Sequence, residues 1–476
     1  MARGRLGAAD LTTMLGEWRT DAPAYDALAE RLRLLLIDGR VSADVRLPSE
    51  RDLSARLGLS RTTVTAAYGR LRERGYARSV QGSGTTTALP PHATSPADSE
   101  TGIDLTKATL PATRLLADAA GEATERLTAH LPGSGYTLRG LPELRTAIAD
   151  RYTERGLPTS PDQVLVTLGG QSAIALLGRV LIARGDRAYA ESPSYPHAYD
   201  ALRLAGARVV TSPVTTEQGW DLPALEAAIS RTQPVMAYVM PDFHNPTGWS
   251  LDEEGRARLL RAAARTETIV VADDTTAELD IDRPVTHPPL AALAAGHRAR
   301  VVHLGSASKQ LWGGLRIGWI RAEPELLGRL VAQRSATDLG TPIWEQLVTA
   351  LLLPRAAAVV EERRGQLRAG RTALYAAVDR LLPDWSLPAR LHGGLTAWVH
   401  LPAPVSSQLT LAARGRGLLL TAGPRFGADG AYERHLRLPI TAAPAEIERA
   451  VGILADLWPR ADALPHALTA HAEAVV

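Results

Sequence analysis

Apolar residues at Leu28, Leu32, Leu35 and Leu36 recur at helical spacing between Ala24 and Asp38, and Gly39 follows in the position of a C-cap. The pattern predicts a first helix. A turn through Ser42 to Leu47 leads to a second, shorter one, with Ser49 as its N-cap, Asp52 three residues on, and Leu53, Leu57 and Gly58 completing it. Ser60 caps a third, in which Val64, Tyr68 and Leu71 share one face while Arg61, Thr62, Thr63 and Thr65 open the first turn. Two short helices joined by Gly58 and Leu59 form a helix-turn-helix. Beyond Gly75, the segment YARSVQGSGTTT reads as two strands about a tight turn at Gly82, Ser83 and Gly84, a winged hairpin.

The periodicity stops between Ala88 and Gly102, where LPPHATSPADSETG has the composition of a linker. After it, the strand-like runs VLVT, AYA, ARVV, VMAYVM, TIVVAD and RVVHLG alternate with helix-like ones such as SAIALLGRVLIARGD. Such alternation predicts an α/β fold with a mainly parallel sheet covered by helices, larger than a simple Rossmann unit. The expected division is an N-terminal extension (1–22), a winged helix-turn-helix (23–87), a linker (88–101) and a large domain (102–476). In open sheets of this kind, ligands bind beyond the carboxyl ends of the strands.

Composition narrows the function. At 476 residues and 45% hydrophobic, the chain can bury large cores in two or three domains. With no cysteine, disulfides, thiolate metal sites and thiol nucleophiles are excluded, which fits a reducing cytoplasm. No metal site is expected. The N-terminus lacks the apolar run of a signal peptide, and Leu34 to Ile37 is far too short for a membrane span, so a cytoplasmic protein without a membrane partner is expected. The net charge of +2 excludes indiscriminate binding of nucleic acid. Locally, however, eight arginines between Arg46 and Thr85 face only Glu50, Asp52 and Glu73. In a helix-turn-helix the third helix enters the major groove, where arginine can grip guanine with two hydrogen bonds.

Two residue types are nearly absent and survive beside motifs. Only Lys107 and Lys309 among 53 basic residues are lysines, and Asn245 is the single asparagine. Arginine stays protonated, whereas a buried lysine can lose its proton and attack a carbonyl. Lys107 reads as a surface residue. Lys309 lies in GSASK with Ser306 and Ser308, and Arg316 follows seven residues later. Upstream, VTLGGQSAIALL runs from strand through Gly169, Gly170 and Gln171 into helix, where backbone amides attract phosphate. Tyr195 sits in a proline-braced loop, Asn245 in DFHNPTG, and Asp273 and Asp274 at a strand end. Taken singly, these are a turn, a surface lysine and solvated acids.

In order, they supply the parts that pyridoxal phosphate needs. Lys309 provides the Schiff-base amine, Asp273 a carboxylate for the pyridine nitrogen, Tyr195 a stacking face, and Asn245 a donor for the ring oxygen. Arg316, hydroxyls and amides serve the phosphate.

The run from Tyr25 to Thr85, with LPSERDL and SRTTVTAAYGRLRERGY, closely resembles the GntR family of winged-helix regulators. The resemblance implies that Arg46, Ser49, Arg51, Ser60, Arg61, Thr62 and Thr63 lie on double-stranded DNA, with wing glycines Gly82 and Gly84 at the minor groove. From Asp104 to Trp458 the ordered set resembles fold type I aminotransferases, which implies a small C-terminal α+β subdomain and a homodimer with active sites at the interface. GSGYTLRGLPELR is similar to the segment whose tyrosine, here Tyr136, reaches the partner subunit's phosphate, and RHLRLPI to the one whose arginine, here Arg437, binds a substrate carboxylate. One position departs: Thr275 stands where that family commonly carries a tyrosine bonded to the ring oxygen. Either Asn245 then makes this contact alone or a water intervenes. The fusion is the layout of the MocR subfamily, which implies a pyridoxal-phosphate-dependent regulator sensing an amino compound or the cofactor itself. The alternative is a working aminotransferase with an incidental DNA-binding module.

Overall fold

Ser49 and Ser60 each turn a hydroxyl onto the backbone amide three residues ahead, at 3.1 Å to Asp52 and 3.0 Å to Thr63, and so start two helices. Each such cap contributes about 1 kcal/mol. The structure, a computed structural model, describes residues 4–16, 18–19, 22–37, 40–80, 84–88, 102–389, 391–428 and 430–459. Gly39, Gly82 and the linker beyond Ala88 lie outside the described residues.

The N-terminal module contains α1 (Ala8–Leu15), α2 (Ala24–Ile37), α3 (Glu50–Leu57) and α4 (Arg61–Glu73). Gly58, in the left-handed conformation at φ 64°, ends α3 and sets the turn into α4. Val64, Ala67, Tyr68 and Leu71 form the buried face of α4, and the Tyr68 hydroxyl ties it to the Pro48 carbonyl at 3.0 Å. Strands β1 (Gly4–Arg5), β2 (Val45–Arg46), β3 (Ala77–Val80) and β4 (Gly84–Thr87) make one sheet in the order β1-β2-β4-β3, and antiparallel β3 and β4 are the arms of the wing. The segment ahead of residue 23 contains structure the periodicity did not reveal: Leu11 and Leu15 of α1 are buried in the same core as Leu28, Leu53 and Leu71. α1 is only eight residues long, so Leu11 and Leu15 supply a single helical repeat between Gly7 and Gly16.

In the large domain the main sheet has eight strands among the described residues. Their spatial order is Val164–Thr167, Gly318–Arg321, Arg300–Ser306, Ile269–Asp273, Met236–Val239, Arg187–Ser192, Arg208–Thr215 and Gly219–Trp220. Pairing is parallel except at Gly318–Arg321 and the edge strand Gly219–Trp220. Met236–Val239 and Ile269–Asp273 are buried along their whole length, as expected of strands covered on both faces. Tyr238 and Val271 pack on one face, Ala237, Val239, Val270 and Ala272 on the other.

A smaller subdomain carries an antiparallel sheet of Thr396–His400, His435–Pro439 and Thr421–Ala422, packed against helices Ala356–Leu381 and Pro444–Leu457. The helical run Ile343–Leu381 is long and apolar enough to cross a membrane by length and composition. Its Leu347, Val348 and Leu352 are buried in one protein core and its Leu367, Leu374 and Val378 in another.

Candidate functional site

Five strands deliver their carboxyl ends to one cavity of about 610 Å³. The first ends at Thr167 and turns through Gly169, at φ +77°, into helix Gly169–Leu181. A side chain at Gly169 would stand 2.5 Å from Arg316 Nη2, so only glycine lets the Arg316 guanidinium lie across this turn. Arg316 is exposed and holds only long contacts: 3.5 Å to Ser308 Oγ and the Gly313 carbonyl, 3.4 Å to the Leu168 carbonyl. That leaves its charge available to an anion. Gly170 opens onto Thr275 and Ser306. Gln171 donates to the His197 carbonyl at 3.1 Å, while its buried Oε1 has no hydrogen-bond partner.

Strand Arg300–Ser306 ends at Ser306, whose hydroxyl caps the next turn by accepting from the Ser308 amide at 3.2 Å. Lys309 follows, its Nζ donating to the Ala108 carbonyl at 2.8 Å. Burial and then the positive charge of Arg437 hold the Lys309 amine down to about 8.

Asp273 and Asp274 diverge because consecutive strand residues face opposite sides. Asp273 lines the cavity, where it accepts from the Tyr238 hydroxyl and, at 3.0 Å, from the Thr275 amide. Burial raises its pKa despite these donors. Asp274 turns away to His303 Nδ1 at 2.7 Å; burial works against its charge, but the contact with His303 and the nearby Arg155 and Arg256 keep its carboxyl low. The Thr275 hydroxyl lies beside Asp273.

Tyr195 lines the cavity, its hydroxyl pushed up to about 12, first by burial and then by Asp273. Asn245 lines it too, and its buried Oδ1 has no hydrogen-bond partner among the described residues.

Arg437, on strand His435–Pro439, is 6% exposed and donates Nη2 to the Thr106 carbonyl. Its Nε has no partner among the described residues, and its guanidinium lies over the Phe426 ring, 5.0 Å from the centroid. Burial lowers it to about 10, still charged at neutral pH. Among the described residues no carboxylate lies within 4 Å of it, so it presents an unneutralised cation to the cavity.

All the proposed cofactor and effector residues line this cavity except Tyr136, which is 69% exposed outside it. The sequence did not reveal Tyr238, Phe426 or Leu34. For Tyr238 a signal existed: it shares the strand parity that faces Asp273's side of the sheet.

The second surface is on the N-terminal module. Ser49, Arg51, Ser60, Arg61 and Thr62 are exposed along α3 and α4. The Thr62 and Thr63 hydroxyls each lie 2.7 Å from Ser60 Oγ, which braces the first turn of α4. Arg61 lies 3.7 Å from Glu50 and is otherwise open to solvent. Arg46 runs under the wing: a side chain on Gly84 (φ +84°) would meet its guanidinium at 3.5 Å.

Residues 24–86 match the gntR family of bacterial regulatory proteins, and residues 108–454 match aminotransferase class I and II. The chain is 31% identical to the pyridoxine biosynthesis transcriptional regulator PdxR of Corynebacterium glutamicum, over 85% of this chain and 89% of that one. It is 32% identical to the probable rhizopine catabolism regulatory protein MocR of Rhizobium meliloti, over 64% and 66%. The crystal structure of LysN, an α-aminoadipate aminotransferase from Thermus thermophilus, superposes with a TM-score of 0.69 at 31% identity, covering 78% of this chain and 96% of that one. With both modules matched in one chain, and in this order, the protein belongs to the MocR-type regulators, in which a gntR-family winged helix precedes an aminotransferase class I and II domain.

Proposed function

We propose that this regulator binds pyridoxal phosphate at Lys309 and senses an amino compound there, and that occupancy of the site changes how the α4 surface engages operator DNA. The observation that supports it most is the pairing, in one cavity, of a lysine amine held down to about 8 with an unneutralised arginine, Arg437, in a chain that also carries an open helix-turn-helix.

The residues present fit the cofactor. Gly170 and Gly169 leave room at the helix start, Arg316 offers a free cationic edge beside Ser308, and the Asn245 carboxamide, which lines the cavity, has an amide group able to donate. Ser306, Tyr195, Asp273 and Thr275 complete the lining. When bound, pyridoxal phosphate supplies an aldehyde that captures primary amines and a pyridine ring that withdraws electrons. This chain's own contribution is positional. Asp273 presents a buried carboxylate for the ring nitrogen, Tyr195 a flat face, and Lys309 an amine that is partly unprotonated near neutral pH. Arg437 orients a carboxylate-bearing effector toward Lys309. LysN, the related aminotransferase, holds N-(5'-phosphopyridoxyl)-L-leucine, a cofactor joined to an amino acid. The proposed assembly is a homodimer in which Tyr136, exposed in one protomer, serves the neighbouring site.

A ligand can act only by binding two conformations with different affinity. The test is to load the purified protein with pyridoxal phosphate, screen amino acids under single-turnover conditions, and follow salt-dependent binding to the DNA flanking its gene. Slow or absent turnover together with ligand-responsive, sequence-specific binding supports the regulator. Rapid turnover with a keto-acid acceptor and no DNA response supports an aminotransferase instead.

A further inference from the structure

The cavity that contains Lys309 and Arg437 does not end within the large domain. It extends to Leu34, on α2 of the DNA-binding module, a residue only 4% exposed. Leu411 of helix Ser406–Arg414 both lines the cavity and packs against the module's core. The outer wall of the ligand pocket is thus built from both domains.

A polar latch sits beside this apolar contact. Glu433 accepts from Arg31 Nη1 of α2, from the Ser407 amide at 3.0 Å and from the Ser407 hydroxyl at 2.9 Å. Arg40 lies 3.8 Å from the same carboxylate and donates to the Gly430 carbonyl at 3.3 Å. The side chains of Arg31 and Glu433 are 6% and 14% exposed, so neither is a loosely solvated surface charge. Breaking such a pair leaves a buried charge without its partner. The latch also abuts the ligand end of the cavity. Trp398 packs edge-on against both Tyr432, next to Glu433, and Phe426, the ring beneath Arg437.

We propose that Leu34 is a specificity-determining wall of the effector pocket: an effector anchored by its carboxylate at Arg437 extends an apolar tail onto the DNA-binding module itself, and the Glu433 latch holds α2 in place to receive it. The inference deepens the regulator reading and rests on it. The proposed ligand class follows from the apolar part of the wall, Leu34, Leu411, Leu420 and Leu395; the charges of Arg425 and Lys107, which also line the cavity, are paired with Asp200 at 2.6 Å and Asp104 at 3.0 Å, while Ser407, Thr410 and Arg414 line it with polar groups. The tail proposed to meet Leu34 and Leu411 is uncharged and aliphatic. Such an effector favours the docked module because undocking re-exposes its tail to water.

The experiment uses the full-length, cofactor-loaded protein and unbranched 2-amino acids of three to six carbons. Affinity is read from the change in absorption or tryptophan fluorescence. In the unsubstituted chain, affinity rises about fourfold per methylene once the tail reaches the wall. Leu34→Ala flattens this gradient, and Glu433→Gln, which removes the charge and retains the shape, flattens it as well. A gradient in Leu34→Ala equal to that of the unsubstituted chain overturns the wall, as does an unsubstituted chain with no gradient. An undiminished gradient in Glu433→Gln overturns the latch. Rapid catalytic turnover, with the gradient still dependent on Leu34, supports the wall and defeats the regulator reading instead.

Discussion

Tyr238 donates its hydroxyl to the carboxylate of Asp273, and both side chains are buried in the sheet beneath the cavity. Asp273 thereby keeps one donor from the side of the protein core and one from the Thr275 backbone, while burial works against its charge. Tyr238→Phe removes the first donor and leaves a buried carboxylate undersatisfied. The expected cost is about 1–3 kcal/mol of stability for the cofactor-free protein at neutral pH. Denaturant unfolding measures it. The cost should shrink in the cofactor-loaded protein, where Asp273 gains a new partner, and an unchanged midpoint without cofactor contradicts the assignment.

The state of Lys309 sets a pH dependence. Its pKa is lowered, so the unprotonated amine grows as pH rises through about 8 rather than through the ordinary lysine range near 10.5. The rate of pyridoxal phosphate uptake, followed by stopped-flow absorption, should climb with pH and level off above that value. Arg437→Ala removes a neighbouring positive charge that disfavours protonation, so it should move the midpoint upward.

At the DNA surface, Arg61 projects from the first turn of α4 with only Glu50 nearby. Arg61→Ala should weaken binding at a specific site by about 1–3 kcal/mol and binding to random DNA far less. Equal losses on both DNAs, measured at one salt concentration, contradict the placement of α4 in the groove.

His435 stacks on Trp398 with ring centroids 5.1 Å apart, and its buried Nδ1 has no partner among the described residues. Burial first, and then His400, lowers it to about 4. The unfolded chain therefore binds a proton between the ordinary histidine value of 6.5 and about 4 that the folded chain does not. Stability should fall as pH drops through that window. Replacing His435 with glutamine should make the loss shallower in urea titrations between pH 7 and 4.

What could be read from the sequence follows the range of the interactions. The α3 and α4 helices were legible because their caps, Ser49 and Ser60, act on amides only three residues away. The site was legible because each motif follows its own strand, and the sheet gathers those strand ends without further instruction. Helix α1 was not, since in eight residues Leu11 and Leu15 give only one repeat of the helical period. Nor was the docking of α2, because Arg31 and Glu433 stand 402 residues apart and each is a common charged residue in its local context. Of the two acids the sequence assigned Asp273 to the ring nitrogen, and Asp273 lines the cavity; the partner of Asp274 was not legible, because His303 stands 29 residues away on the next strand.

In the proposed regulator, ligand chemistry at Lys309 controls DNA binding. The most direct test measures affinity for the DNA flanking the gene, at fixed salt, with and without pyridoxal phosphate and an amino acid, in the unsubstituted chain and in Lys309→Ala. The expected result is that both proteins bind this DNA equally in the absence of ligand, and that only the unsubstituted chain changes its affinity when ligand is added. The same ligand response in Lys309→Ala would contradict the account.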